Sequence, residues 1–220
     1  MWKTICLFIA IAFIHCEEIG GYEIFEDLST SFRFNCLKNN LNPPMVALKV
    51  ADGSGNFLSY FKTNMHLCIG NFREIQVTIS PECIFNQNQT KPYDAVKKFV
   101  DLIGDFKGDI KMVWLSIFND DSRCWRNSFT DHRNYVSQLL GNFSSMGFKT
   151  GIATAKAAWV GVFGSDFNLL KDLPLYVKMY PDEYFQQFGG WTKYTFFAKY
   201  VNRYHELEKL CAMGLRTMKK

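Results

Sequence analysis

Apolar positions recur along the chain with two alternating periods. Tyr93, Val96, Phe99, Val100, Ile103 and Phe106 fall at helical spacing. So do Tyr135, Val136, Leu139, Leu140 and Phe143, a run stopped by Gly147. Between these two amphipathic helices lies Met112–Phe118, whose apolar run predicts a buried strand. Further strands are predicted over Tyr22–Asp27, Met45–Val50, Phe72–Ile79, Phe148–Thr154 and Pro174–Tyr180, and Trp191–Tyr200 is strand-rich. Shorter helices are predicted over Phe32–Asn40, Phe57–Leu67 and Lys156–Phe163, and the tail from His205 reads as partly helical. Leu28-Ser29-Thr30-Ser31 supplies capping chemistry, Pro43-Pro44 ends the first helix, and Gly53-Ser54-Gly55 and Gly189-Gly190 read as turns.

Strands that alternate with helices at this rhythm argue for an α/β fold with a parallel sheet. About seven strands in roughly 200 residues predict a single-domain, TIM-like (β/α) barrel with shortened helices. No glycine-rich phosphate loop follows the first strand, which argues against a dinucleotide-binding sheet. No internal repeat and no long linker divides the chain.

Composition adds compartment rather than chemistry. Of 220 residues 48% are apolar and 21% charged, an ordinary globular balance. The 21 phenylalanines are first of all core. A net charge of +4 is too weak to argue for nucleic acid, yet does not oppose contact with anionic cell walls. Met1-Trp2-Lys3 followed by the apolar run Ile5–Ile14 reads as a signal peptide over residues 1–16, leaving a mature domain of residues 17–220. The expectation is a secreted protein with no membrane contact after cleavage. Cys36, Cys68, Cys83, Cys124 and Cys211 then remain, which predicts two disulfides and one free or intermolecular thiol, with pairing open. Sequons at Asn88 and Asn142 suit the same compartment.

In a parallel barrel, function sits at the carboxyl ends of the strands. The residues predicted there are Asp27, Asp52, Glu82, Cys83, Ser116, Phe118, Asp120, Asp121, Tyr180, Asp182 and Glu183. Alternation puts Trp114, Ser116 and Phe118 on one face of their strand. Glycoside hydrolysis usually needs two carboxyl groups across the scissile bond, and Ser116 and Phe118 supply neither. Asp120 and Asp121 are adjacent in a polar loop and read as a solvated turn. The four histidines have no metal-ligand spacing, and no serine lies in a nucleophile elbow, so neither a metal site nor a cofactor is expected.

Several segments carry a family resemblance together. They are Asp27-Leu28-Ser29, Asn35-Cys36-Leu37-Lys38, Met112-Val113-Trp114-Leu115, Ser145-Met146-Gly147-Phe148-Lys149-Thr150-Gly151-Ile152, Leu175-Tyr176-Val177-Lys178-Met179-Tyr180, Phe188-Gly189-Gly190-Trp191-Thr192-Lys193 and Leu210-Cys211-Ala212-Met213-Gly214. In this order and spacing the chain resembles the secreted lysozyme-like proteins of glycoside hydrolase family 25, in the branch of small invertebrates and protists. The resemblance implies a flattened barrel and a cleft for bacterial cell-wall peptidoglycan. It also implies cofactor-free cleavage at N-acetylmuramic acid, and a role in digestion or innate antibacterial defence.

Carried over by position, the family's first-strand Asp falls on Asp27, with Glu23 as a competitor. The mid-strand Asp-x-Glu pair falls on Ser116 and Phe118, and a late Asp falls near Arg216. The cleft aromatics are Tyr176, Tyr180 and Trp191. Loss of a general acid alone costs about 10²–10⁴-fold in rate. Loss of its partner also removes the charge that stabilises an oxocarbenium-like transition state. The resemblance therefore implies impaired cleavage. The alternatives are an active muramidase using Asp27, Asp120 or Asp121, and a non-enzymatic glycan-binding or interaction domain.

Overall fold

A computed structural model of the chain describes residues 19–24, 27–51, 57–80, 91–117, 125, 128–179, 184–199 and 215–219. Eight strands run in chain order: β1 (Ile19–Ile24), β2 (Met45–Lys49), β3 (Glu74–Ile79), β4 (Ile110–Ile117), β5 (Thr150–Thr154), β6 (Leu175–Met179), β7 (Phe196–Lys199) and β8 (Leu215–Lys219). They close into a barrel in that same order. From β1 to β7 every neighbouring pair is parallel. β8 runs antiparallel to β1 along five residue pairs and meets β7 at one, Phe197 with Lys219. The α/β barrel expected from the alternating pattern is the fold observed. The tail from His205 reads as partly helical; its residues 205–214 lie outside the described residues, and residues 215–219 form a closing strand. β1 pairing supplies what that short basic segment lacks on its own. The leader and both sequon asparagines differ in standing: Asn142 lies on a described helix, whereas residues 1–16 and Asn88 lie outside the described residues.

Among the described residues five α-helices cover the barrel: α1 (Ser31–Asn35), α2 (Phe61–Cys68), α3 (Pro92–Ile103), α4 (Phe129–Ser145) and α5 (Lys156–Phe163). α1 starts at Thr30, whose hydroxyl accepts the Arg33 N–H at 3.4 Å, and runs on into a π-helical turn over Cys36–Leu41. α4 opens with a capping box: the Asp131 N–H donates to Ser128 Oγ at 3.2 Å, and the Ser128 N–H donates to the Asp131 carboxylate at 3.3 Å. Val77, Ile79, Val113, Leu115 and Ile117 point outward from β3 and β4 into one large core with Phe99, Ile103, Leu139 and Phe143 of α3 and α4. The Phe99 and Phe143 rings meet edge to face at 5.3 Å.

Phe188-Gly189-Gly190-Trp191 forms a corner of this core. Gly189 and Gly190 hold φ values of 57° and 83°, a conformation that side chains disfavour. A Cβ on Gly189 would also press on the rings of Trp159 and Trp191. The two indoles pack edge to face at 4.8 Å, and each N–H reaches a backbone carbonyl, Trp159 to Phe167 and Trp191 to Leu173.

Candidate functional site

The inner face of the barrel is a different environment. A second cluster of Met45, Ala47, Trp114, Ala153, Tyr176, Phe196, Ala198 and Met218 fills it. The small residues leave room for the large ones. A Cβ on Gly151 of β5 would overlap the Trp114 ring, so glycine there is what admits the indole. Strand alternation places polar side chains on this same face: Glu23, Glu74, Gln76, Thr78, Ser116 and Lys178. The Trp114 N–H donates to the Gln76 amide oxygen, and the Gln76 amide donates to Glu74 at 2.6 Å.

At the centre of this face sits an ion pair. Lys178 Nζ lies 3.4 Å from one oxygen of Glu23, with the two side chains 4% and 2% exposed. The Tyr176 hydroxyl donates to the other Glu23 oxygen at 3.1 Å. The lysine ammonium also lies 5.2 Å from the centre of the Tyr176 ring. Each charge removed from water costs several kcal/mol, so neither is tolerable without the other. Both oxygens of this carboxylate are thus engaged, one by an ammonium and one by a phenol.

The residues singled out from sequence are dispersed. Ser116 lies near the carboxyl end of β4, 8% exposed, between the outward-facing Leu115 and Ile117. Tyr176 shares the inner face, fully buried against Trp114, its hydroxyl engaged by Glu23. Asp27 is half-buried in the turn before α1, where its carboxylate accepts the Ser29 N–H and the Ser29 hydroxyl, both at 2.8 Å. Trp191 is buried in the outer core, on the other side of the barrel wall. Phe118, Asp120, Asp121 and Tyr180 lie outside the described residues. The barrel thus groups Ser116, Tyr176 and Glu23, and assigns Asp27 and Trp191 to other environments.

Two residues escaped sequence reasoning. Lys178 interrupts the apolar strand Leu175–Met179, and a buried lysine in such a strand requires a carboxylate partner. Tyr184 is 84% exposed beside a cleft at the carboxyl ends of β5 and β6, whose walls include Lys156, Lys178, Met179, Phe185 and Gln186. Across that cleft Lys156 Nζ donates to the Gln186 side-chain oxygen at 2.6 Å. No cluster of three or more metal-binding side chains occurs among the described residues. No described helix is long and apolar enough to cross a membrane.

A barrel with one antiparallel closing strand and a polar inner face is compatible with several families; the sequence match decides among them. The family model for lysozyme-like protein 1 matches residues 21–199. The chain belongs to the lysozyme-like family. Solved structures agree in fold. A muramidase from Acremonium alcalophilum is similar with a TM-score of 0.66 at 17% identity, over 92% of this chain and 93% of that one. A family GH25 lysozyme from Aspergillus fumigatus gives 0.67 at 12% identity, over 90% and 92%. The bacterial lysozyme from Streptomyces coelicolor gives 0.58 at 14% identity, over 91% of each. No curated protein sequence matches the chain. At these identities the solved structures establish the fold of this lysozyme-like chain and leave its chemistry to its own residues.

Proposed function

We propose that this lysozyme-like chain is a secreted protein that binds bacterial cell-wall glycan and is impaired in cleaving it. The observation that carries the reading is the inner-face carboxylate Glu23, committed to Lys178 and Tyr176, on the same inner face to which β4 contributes Ser116. Among the described residues the only other inner-face carboxylate is Glu74. It opens β3, two residues before Gln76, whose amide donates to it. Hydrolysis needs a proton donor and a second carboxyl group within about 5–9.5 Å of it. Secretion and a role in defence or digestion belong to the same proposal. They draw on the leader, the sequons and the cysteines: Cys36 is disulfide-bonded, and Cys68 is a free, buried thiol.

Incubation with purified sacculi tests the reading. The expected result is retention of the protein on the sacculi without clearing of their turbidity. Robust lysis abolished by Asp27→Asn, or by substitution of Asp120 or Asp121, would instead establish an active muramidase with a different carboxylate. Absence of retention would make it an interaction domain without glycan affinity. If only the acids are missing, Ser116→Asp combined with Phe118→Glu confers measurable lysis.

A further inference from the structure

The sequon Asn142-Phe143-Ser144 lies in the last turn of α4 and has no part in the inner face of the barrel. α4 leads from the carboxyl end of β4 to the amino end of β5, so its last turn stands at the amino-terminal end of the strands. Ser116 lies towards the other end of the barrel, near the carboxyl end of β4. Asn142 is half-buried and is flanked by the exposed residues Gly141, Ser144 and Ser145. A Cβ on Gly141 would meet no described atom within 4 Å. The backbone carbonyl of Asn142 accepts the Met146 N–H at 3.1 Å and the Ser145 hydroxyl at 2.9 Å. The side-chain amide takes part in neither bond, so a sugar on its nitrogen leaves both of these helix-closing contacts in place.

The middle residue sets an order of events. Phe143 is fully buried, and its ring meets Phe99 at 5.3 Å and Phe148 at 5.9 Å. A sequon is an acceptor only with a hydroxyl two residues after the asparagine. Residues two apart share a side in an extended chain and face apart in a helix. The folded helix therefore separates the Asn142 amide from the Ser144 hydroxyl and locks the residue between them into the core.

We infer that Asn142 carries an N-linked glycan, attached while the α4 segment is still extended and left at the amino-terminal end of the barrel, away from Ser116. The inference rests on the secretion reading above. In the transfer the Asn142 amide nitrogen bonds to C1 of an oligosaccharide carried on a lipid diphosphate. The bond from C1 to the diphosphate oxygen breaks, the diphosphate leaves with the electron pair, and the amide gives up one proton.

The full chain is expressed in a eukaryotic secretory host, and the secreted protein is digested with peptide N-glycosidase in heavy-oxygen water. That digestion converts each glycosylated asparagine to a labelled aspartate, read by peptide mapping. The expected result is label at Asn142 in wild type, in Asn88→Gln and in Ser144→Thr, and its loss in Ser144→Ala, which keeps the asparagine. Secreted wild type without label at Asn142 overturns the inference and leaves the secretion reading intact. A chain that stays in the cell unlabelled removes both. The order of events has its own test. Unglycosylated full chain made in bacteria and folded is offered to oligosaccharyltransferase with its lipid-linked donor, beside a free peptide of residues 139–147. The peptide is modified and the folded chain is not; equal modification of the two overturns attachment before folding. Retention on sacculi is the same with and without the glycan, and a gain on its removal contradicts its placement away from Ser116.

Discussion

On the outer face of β3 and β4, Val77, Ile79, Val113, Leu115 and Ile117 meet the phenylalanines of α3 and α4. On the inner face of the same strands stand Gln76, Thr78, Trp114 and Ser116, one residue away along the chain in each case. The outer face is held by apolar area, which is non-directional and tolerates exchange among side chains of similar volume. The inner face is held by matched pairs. Lys178 answers a carboxylate 155 positions earlier, and Trp114 answers an amide 38 positions earlier. The lesson is that one barrel wall has a forgiving side and an exacting side, and the exacting side is the one on which this fold would carry chemistry.

Breaking a pair on the inner face should have the largest effect. Lys178→Met leaves Glu23 buried beside an apolar chain and is expected to cost about 3–5 kcal/mol in urea denaturation. Adding Glu23→Gln to Lys178→Met should recover most of that loss, because two neutral side chains no longer strand a charge. A double variant as unstable as the single one would show that the pair is not what holds this face. On the outer face Leu115→Ala is expected to cost about 2–5 kcal/mol, with no such rescue available. Next in size is Gly151→Ala, where the new methyl group collides with Trp114; a loss of about 1–3 kcal/mol is expected from the same denaturation experiment.

Beyond the wall the effects shrink. Ser128→Ala removes the hydroxyl that caps α4 and should cost about 1 kcal/mol. At neutral pH the smallest effect belongs to Cys68, whose thiol burial pushes up from 9.0 to about 12. The unfolded thiol ionises from pH 9, while the folded one keeps its proton until about pH 12. Stability therefore falls as pH rises through that window and is unaffected below it. Comparing wild type with Cys68→Ala in denaturation between pH 7 and pH 11 should show the excess alkaline loss only in wild type.

The sequence carried the outer face plainly. The helical spacing of Val96, Phe99 and Ile103 faces the core as read, and Lys156–Phe163 is a helix with the predicted ends. Local patterning suffices where an apolar stripe meets any apolar partner. The inner face was only partly legible. Trp114 and Ser116 fall on one face by alternation, but the partners Glu23 and Lys178 are joined by the closure of the barrel, which no local window contains. β8 escaped for the same reason, since its five residues become a strand through pairing with β1. Trp191 illustrates the opposite trap: an aromatic in a distinctive motif, whose glycines serve the packing of its own ring. Tyr184 carried no local signal at all, because exposure of a single ring is a property of the folded cleft.

The most direct test is release of reducing sugar ends from purified peptidoglycan by the wild-type protein, measured beside retention on the same sacculi. An inner face whose Glu23 is committed to Lys178 and Tyr176 predicts retention with no release above a heat-inactivated control. Release that disappears in Glu23→Gln or Asp27→Asn, with the fold intact, would contradict it and return one of those carboxylates to catalysis.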